Sequence, residues 1–275
     1  MTIWPQDYSG AWTLAAETER RGIGLHSGEE AVVRLAPSER PGFHIRFTDA
    51  SEPIRLAPYQ VRDSQLCTTL DLGDRRVSTV EHLLAALAGC GLTHAEIVLS
   101  GAEVPLLDGS ALGWVEAIAE AGVAAAASPR PPAPQLEQPL VRHRGSSVIT
   151  ATPAERFSVV GMIDFPQPAI GRQMLALELS PQVFVDEIAP ARTFGFREQV
   201  EQLRAAGLIQ GGALDNALVC DGDHWLNPPL RYPDEPVRHK LLDLIGDLAL
   251  VGFPQAQVLV YRGSHGLHTD LAAAL

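Results

Sequence analysis

Three cysteines in 275 residues, Cys67, Cys90 and Cys220, are odd in number, far apart and without a CxxC pair. They argue against a disulfide framework and against a thiolate metal site, and buried, incidental thiols are expected instead. Basic residues are also scarce: 21 Lys and Arg against 33 Asp and Glu give a net charge of −12, with no Lys/Arg tract. That balance disfavours attraction to a phosphate backbone, so no nucleic-acid partner is expected. No window approaches the roughly 20 apolar residues of a membrane span, and the opening MTIWPQDYSGAWTLAAETERRG lacks a basic stretch followed by an apolar run. A cytoplasmic protein without a transmembrane segment is expected, with a monomer as the default.

What is present is a chain 46% hydrophobic and long enough for two compact cores. The composition breaks at AAAASPRPPAPQLEQP, residues 124–139, where alanines give way to prolines. This segment reads as a linker between a first domain, residues 1–123, and a second, residues 140–275. Each half mixes short β-like runs (AEIVLS, FSVVGMIDF, AQVLVY) with a few amphipathic helical segments, so the fold class expected is α+β in two domains.

Two helical segments carry more ionisable groups than a core helix needs. In EPVRHKLLDLIGDLALVG, residues 235–252, Val237, Leu241, Leu244, Ile245 and Leu248 make the core stripe, with Pro236 in the first turn and Gly252 at the stop. His239, Asp243 and Asp247 recur every four residues on another face. In STVEHLLAALAGCG, residues 78–91, Ser78 is placed as N-cap and Gly89 or Gly91 near the end. Ser78 and Glu81 fit the S-x-x-E capping box, which gives Glu81 a purely structural reading. His82 lies beside Ala85, Ala86 and Gly89, small residues that let another element come close.

If these helices meet, His82, His239 and Asp243 supply two imidazoles and a carboxylate, the three-ligand set of a catalytic zinc site with one position left open. Such a site brings the pKa of its water to about 7, and Glu81 is placed to take the proton. Fe²⁺ suits the same donors. His265, between glycines in RGSHGLH after a β-like run, is a candidate general acid, with Asp247 as its carboxylate partner. Thr193, in ARTFGF, carries a hydroxyl suited to an oxyanion. Each of these residues alone also has an ordinary structural reading.

The segments VSTVEHLLAALAGCGL, EVPLLDGSA, ARTFGF, GLIQGGALDNALV and LNPPLRYPDEPVRHKLLDLIGDL, with the region of His265, resemble in order the motifs of the zinc-dependent UDP-3-O-acyl-N-acetylglucosamine deacetylases of lipid A biosynthesis. The resemblance begins at GIGLHSG, residues 22–28, and covers nearly all of the chain. It implies two α+β layers of related topology, each a sheet and helix sandwich with a small insert, and an active site between them. It implies His82, His239 and Asp243 as metal ligands, Glu81 as base, His265 as acid, Asp247 as its partner and Thr193 as oxyanion donor. Lys240 and Phe194 fall near the acylated UDP-amino-sugar substrate, and Arg262 near its diphosphate. An insert over residues 197–221, with Val200, Leu203, Ile209, Gly212, Ala217 and Val219, is implied as the acyl-chain passage.

Some positions depart from the family pattern. GSHGLH stands where SGHALN is common, with His268 for an asparagine; Gln167 stands for a histidine and Ala213 for a serine. Two other readings stay open beside the family reaction: a metal-dependent deacetylase with a different N-acyl substrate, and a non-catalytic protein that binds a sugar nucleotide or acyl chain.

Overall fold

The computed structural model describes residues 4–63 and 66–275. Its first half runs β1 (Trp12–Leu14), β2 (Thr18–Ile23), β3 (Glu30–Ala36), β4 (Gly42–Phe47), β5 (Ile54–Arg55), β6 (Val61–Asp63), β7 (Thr69–Asp71), β8 (Arg76–Val77), α1 (Glu81–Gly89), β9 (His94–Leu99), α2 (Leu112–Ala121) and β10 (Val123–Ala125). The second runs β11 (Leu140–Arg144), β12 (Ser147–Pro153), β13 (Ser158–Asp164), β14 (Arg172–Glu178), α3 (Pro181–Val183), β15 (Phe194–Phe196), α4 (Arg197–Ala205), β16 (Leu218–Asp221), β17 (His224–Trp225), α5 (Glu235–Leu248), β18 (Ala256–Tyr261) and α6 (His265–Ala272). The class is mixed α+β, as expected.

The two halves repeat one strand order. The first main sheet is β2-β3-β9-β4-β5 and the second β11-β12-β18-β13-β14. In both, the parallel pair joins the strand that follows α1 or α5 to an earlier strand of the same sheet, β9 with β4 and β18 with β13. In each sheet some strands alternate buried and outward positions, as β3, where Ala31, Val33 and Leu35 face the core, and β13, where Val159 and Ile163 do, while β4 and β9 are buried nearly throughout. Period-two alternation of this kind marks a sheet covered on one face.

The covering layer is helical. α2 lies on β2, α5 on β13 and β14, and α6 on β11 and β12, while α1 packs directly on α5. All nine residues of α1 are buried. A Cβ at Gly89 would collide with the Phe184 ring, so the small face of this helix does admit a close neighbour.

The inserts fall between β5 and α1 in the first half, as β6-β7-β8, and between β14 and α5 in the second, as β15-β16-β17 with α4. The second is a small three-stranded sheet whose flanks reach past the expected 197–221, to Phe194 and Trp225. The segment expected as linker starts inside a strand, since Ala124 and Ala125 belong to β10 and pair with Thr13 and Trp12.

One local expectation is corrected and one is sharpened. Ser78 is not the N-cap: α1 begins at Glu81 after Val80, and the Ser78 N–H donates to Ala102 O (3.0 Å). The chain turns at Thr79, whose φ of 59° separates Ser78 from the helix, so the capping box does not form. His265, expected only as a residue between glycines after a β-like run, is the first residue of α6, because Ser264 is extended and accepts the Leu267 N–H as N-cap. All three cysteines are buried and free, as expected. Burial, with Glu81 nearby, pushes the Cys67 thiol up to about 12, which leaves it protonated.

Candidate active site

Contact between α1 and α5 brings the two ionisable sets together. His82 Nε2 lies 3.7 Å and His239 Nε2 3.4 Å from the same oxygen, Asp243 Oδ1. The two rings are nearly perpendicular, 88°, with centroids 5.0 Å apart. All three side chains are buried. One donor atom from each lies within 4.8 Å of the others, so the group fits around a single ion.

The protonation pattern argues for a cation there. His239 Nδ1 pairs with Ala191 O at 3.0 Å, which places the hydrogen on Nδ1 and leaves Nε2 as a lone pair. Burial, with His82 and Lys240 beside it, outweighs Asp243 and pushes His239 down to about 3, so the ring is neutral. Burial opposes ionisation of Asp243, yet Lys240 and His239 hold its carboxyl well below the usual carboxylate range. A neutral imidazole lone pair facing an ionised oxygen is an arrangement that a divalent ion satisfies. Asp243 Oδ2 is taken separately, by Lys240 Nζ at 2.8 Å. Lys240 is the single lysine of the chain.

Loop residues set these positions. Glu235, the first residue of α5 and fully buried, accepts the Arg192 N–H (3.0 Å) and its Nε (2.9 Å). That anchor holds ARTFGF against the helix, so the Ala191 carbonyl meets His239. Thr193 is fixed on both sides, donating its N–H to Gly109 O (2.7 Å) and accepting from Leu218 N (2.8 Å). The Phe194 ring lies 6.4 Å from the His239 ring and 5.7 Å from Lys240 Nζ.

On the other side of Asp243 sits a second buried group. His265 Nε2 is 3.8 Å from Glu81 Oε1 and 3.9 Å from Asp243 Oδ2, while its Nδ1 is 3.0 Å from Asp247 Oδ2. Burial works against a charged His265, but Asp247, Asp243 and Glu81 outweigh it and push the ring up to about 9. Burial raises the Glu81 carboxyl, with His265 and His82 offsetting part of the rise. Asp247 behaves oppositely: His265 and His268 overcome its burial and lower it.

Two members of this network were missed as site residues. The Thr68 hydroxyl donates to Asp247 Oδ1 (2.5 Å), and its backbone N–H donates to Glu81 Oε2 (3.0 Å). His268, read only as a departure from the family pattern, is fully buried with Nδ1 2.9 Å from Asp247 Oδ2. Thr68 sits in LCTTL, which carries no motif; His268 stands at i+3 from His265, a helical spacing visible once α6 is recognised.

A family model described as UDP-3-O-acyl N-acetylglycosamine deacetylase, LpxC, matches residues 11–275. The chain belongs to the LpxC family. It is 48% identical over 267 residues to a UDP-3-O-acyl-N-acetylglucosamine deacetylase of Thermosynechococcus vestitus, covering 96% of this chain and 93% of that one. It is 46% identical to the protein of that name from Trichormus variabilis, covering 94% and 96%. A "Probable UDP-3-O-acyl-N-acetylglucosamine deacetylase 1, mitochondrial" of Arabidopsis thaliana is 41% identical, covering 96% and 87%.

The remaining expected residues of this LpxC-family chain lie outside the buried cluster. Arg262, at the end of β18, contacts Ser146 Oγ (3.1 Å) and lies 3.7 Å from Asp164 Oδ2. Val200, Leu203, Ile209, Gly212, Ala217 and Val219 are all partly exposed, and α4 buries no residue fully. No helix among the described residues is long and apolar enough to cross a membrane.

Proposed function

We propose that this LpxC-family chain hydrolyses the 2-acetamido group of UDP-3-O-(3-hydroxyacyl)-N-acetylglucosamine, releasing acetate and the free amine in the committed step of lipid A biosynthesis. The observation that carries the reading is the placement of Glu81 and His265 on one side of Asp243 with His82 and His239 on the other. His82, His239 and Asp243 would hold a Zn²⁺ or Fe²⁺ ion, which would supply Lewis acidity and lower the pKa of water.

Glu81 accepts the proton of the attacking water, with Thr68 N–H holding its other oxygen in place. The Thr193 hydroxyl donates to the oxyanion that develops on the amide carbonyl. His265 presents Nε2 to the departing amine and gives it a proton, while Asp247 fixes the ring through Nδ1. Lys240 and Phe194 line the sugar-nucleotide side, and Arg262 meets the diphosphate. The half-buried apolar residues Val200, Leu203, Ile209, Gly212, Ala217 and Val219 receive the acyl chain.

The family substrate is favoured over another N-acyl compound by the position of His268. The departure at that residue turns inward onto Asp247, with its ring fully buried, and does not present a new group to substrate. The test is acetate release from the acylated UDP-N-acetylglucosamine by protein as isolated, after chelation, and after one equivalent of Zn²⁺. Activity lost and regained with the metal is expected; stoichiometric metal binding without acetate release would overturn the substrate assignment.

A further inference from the structure

α1 owes its starting point to a residue in an uncommon backbone state. Thr79 has φ 59°, is buried, and is β-branched, a side chain for which the left-handed region is disfavoured by roughly 5- to 30-fold. Two residues later the helix begins with Glu81 and His82. Such a conformation persists only where its surroundings over-determine it.

Glu103 supplies those surroundings. Its backbone lies beside Ser78 in a parallel bridge flanked by Ser78 N–H to Ala102 O and Val104 N–H to Ser78 O, both 3.0 Å. Its side chain, 5% exposed for the residue as a whole, takes the next position: Oε1 accepts the Thr79 hydroxyl at 2.8 Å. The same carboxylate accepts two backbone N–H groups of the loop after β2, from His26 to Oε1 (2.9 Å) and Ser27 to Oε2 (2.8 Å). A Cβ on Gly24 would collide with Oε2 and stand 2.7 Å from Cδ, so the loop is shaped around this group.

That loop also carries the second insert. Gln210 N–H donates to His26 O (3.2 Å) and Gly211 N–H to Leu25 O (3.0 Å), next to Ile209, another β-branched residue at positive φ, 48°. One carboxylate thus braces both the turn into α1 and the ledge on which the insert rests.

We propose that Glu103 is a positioning residue for the reaction: by holding Thr79 left-handed it fixes where α1 starts, and with it the placement of Glu81 and His82. The activity part rests on the deacetylase reading above; the metal-binding part does not. Glycine adopts φ 59° without strain, so a glycine at 79 makes the tether to Glu103 unnecessary. This gives a cycle of Glu103→Ala, Thr79→Gly and the double variant, followed by Zn²⁺ affinity in chelator competition and by kcat and KM for acetate release.

Glu103→Ala is expected to weaken Zn²⁺ binding and lower kcat, each by about 10- to 100-fold, the range for outer supports of metal ligands, with a separate rise in KM from the released His26–Ser27 loop that carries the insert. Thr79→Gly is expected to stay within about threefold of wild type, and in that background Glu103→Ala should cost Zn²⁺ affinity and kcat under about threefold while the rise in KM persists. Equal cost of Glu103→Ala to Zn²⁺ affinity and kcat in both backgrounds overturns the proposal, as does a Glu103→Ala protein with wild-type metal affinity and kcat. If Glu103→Ala does not fold, Thr79→Val replaces it: loss of the hydroxyl alone should reproduce the weakened Zn²⁺ binding, and unchanged binding overturns the proposal. Wild-type protein that binds Zn²⁺ yet releases no acetate would refute the substrate assignment, while the affinity cycle still decides the role of Glu103.

Discussion

Gly246 of α5 lies directly against the backbone of Glu81: a Cβ there would collide with the Glu81 carbonyl oxygen and stand 2.7 Å from its carbon. The approach of the two helices that carry the candidate ligands therefore depends on the absence of one side chain.

Gly246→Ala should push α1 off α5 at the point where Glu81 and His82 are held. Overpacking of a rigid backbone contact costs about 1–3 kcal/mol, and a displacement near 1 Å lowers rate by about 100-fold. Thermal unfolding and kcat report the two effects separately. A variant with the melting temperature and kcat of wild type would show that α1 is not held at this contact.

Metal should stabilise the folded chain through three side chains only. At free Zn²⁺ near 100 times the dissociation constant, the gain is about 2.7 kcal/mol. Replacing His82, His239 or Asp243 with alanine should abolish the shift in melting temperature, whereas Thr193→Ala should retain it while lowering kcat. A full shift in His239→Ala would place the ion elsewhere.

Thr68 joins Glu81 to Asp247 through one backbone N–H and one hydroxyl. Thr68→Val keeps the first and deletes the second, so kcat should fall by about 10-fold or more, with Thr68→Ser restoring it. His268→Asn keeps a donor for Asp247 and should stay near wild type, whereas His268→Leu should not. Steady-state kinetics of the four variants suffices; equal activity of Thr68→Val and wild type would remove the hydroxyl from the network.

Asp108 and Arg231 tie the two halves together at 2.7 Å, on the segment that also carries Gly109. Burial would raise Asp108, but Ser110 and Arg231 outweigh it and lower its pKa. A carboxyl lowered by folding contributes stability above its unfolded pKa and loses it as pH falls through the folded value. The pair is partly exposed, so the contribution is on the order of 1 kcal/mol. Unfolding midpoints from pH 7 to 3 should therefore fall less steeply in Asp108→Asn than in wild type; parallel curves would dismiss the linkage.

The column His239, Asp243, Asp247 was legible because one helix sets its spacing. Glu81 and His82 were legible as a pair, but the turn before them was not: Ser78 and Glu81 satisfy a capping pattern, and only the contact with Glu103 explains why Thr79 breaks it. Thr68 and Glu103 act from segments with no periodicity, and their partners are brought to them by tertiary packing. Ser264 before HGLHTDLA carried an ordinary N-cap signal that the glycines around His265 obscured. The repeated strand order left no trace as a sequence repeat, since a one-sided sheet requires alternation and not particular residues.

The hydroxyl of Thr68 and the carboxylate of Asp247 are 179 residues apart in the chain. During synthesis the first half emerges long before α5 exists. His82 then waits without its two partners, and the donor set closes only when the C-terminal half arrives. The three-residue donor set therefore exists only once both halves have been made and joined.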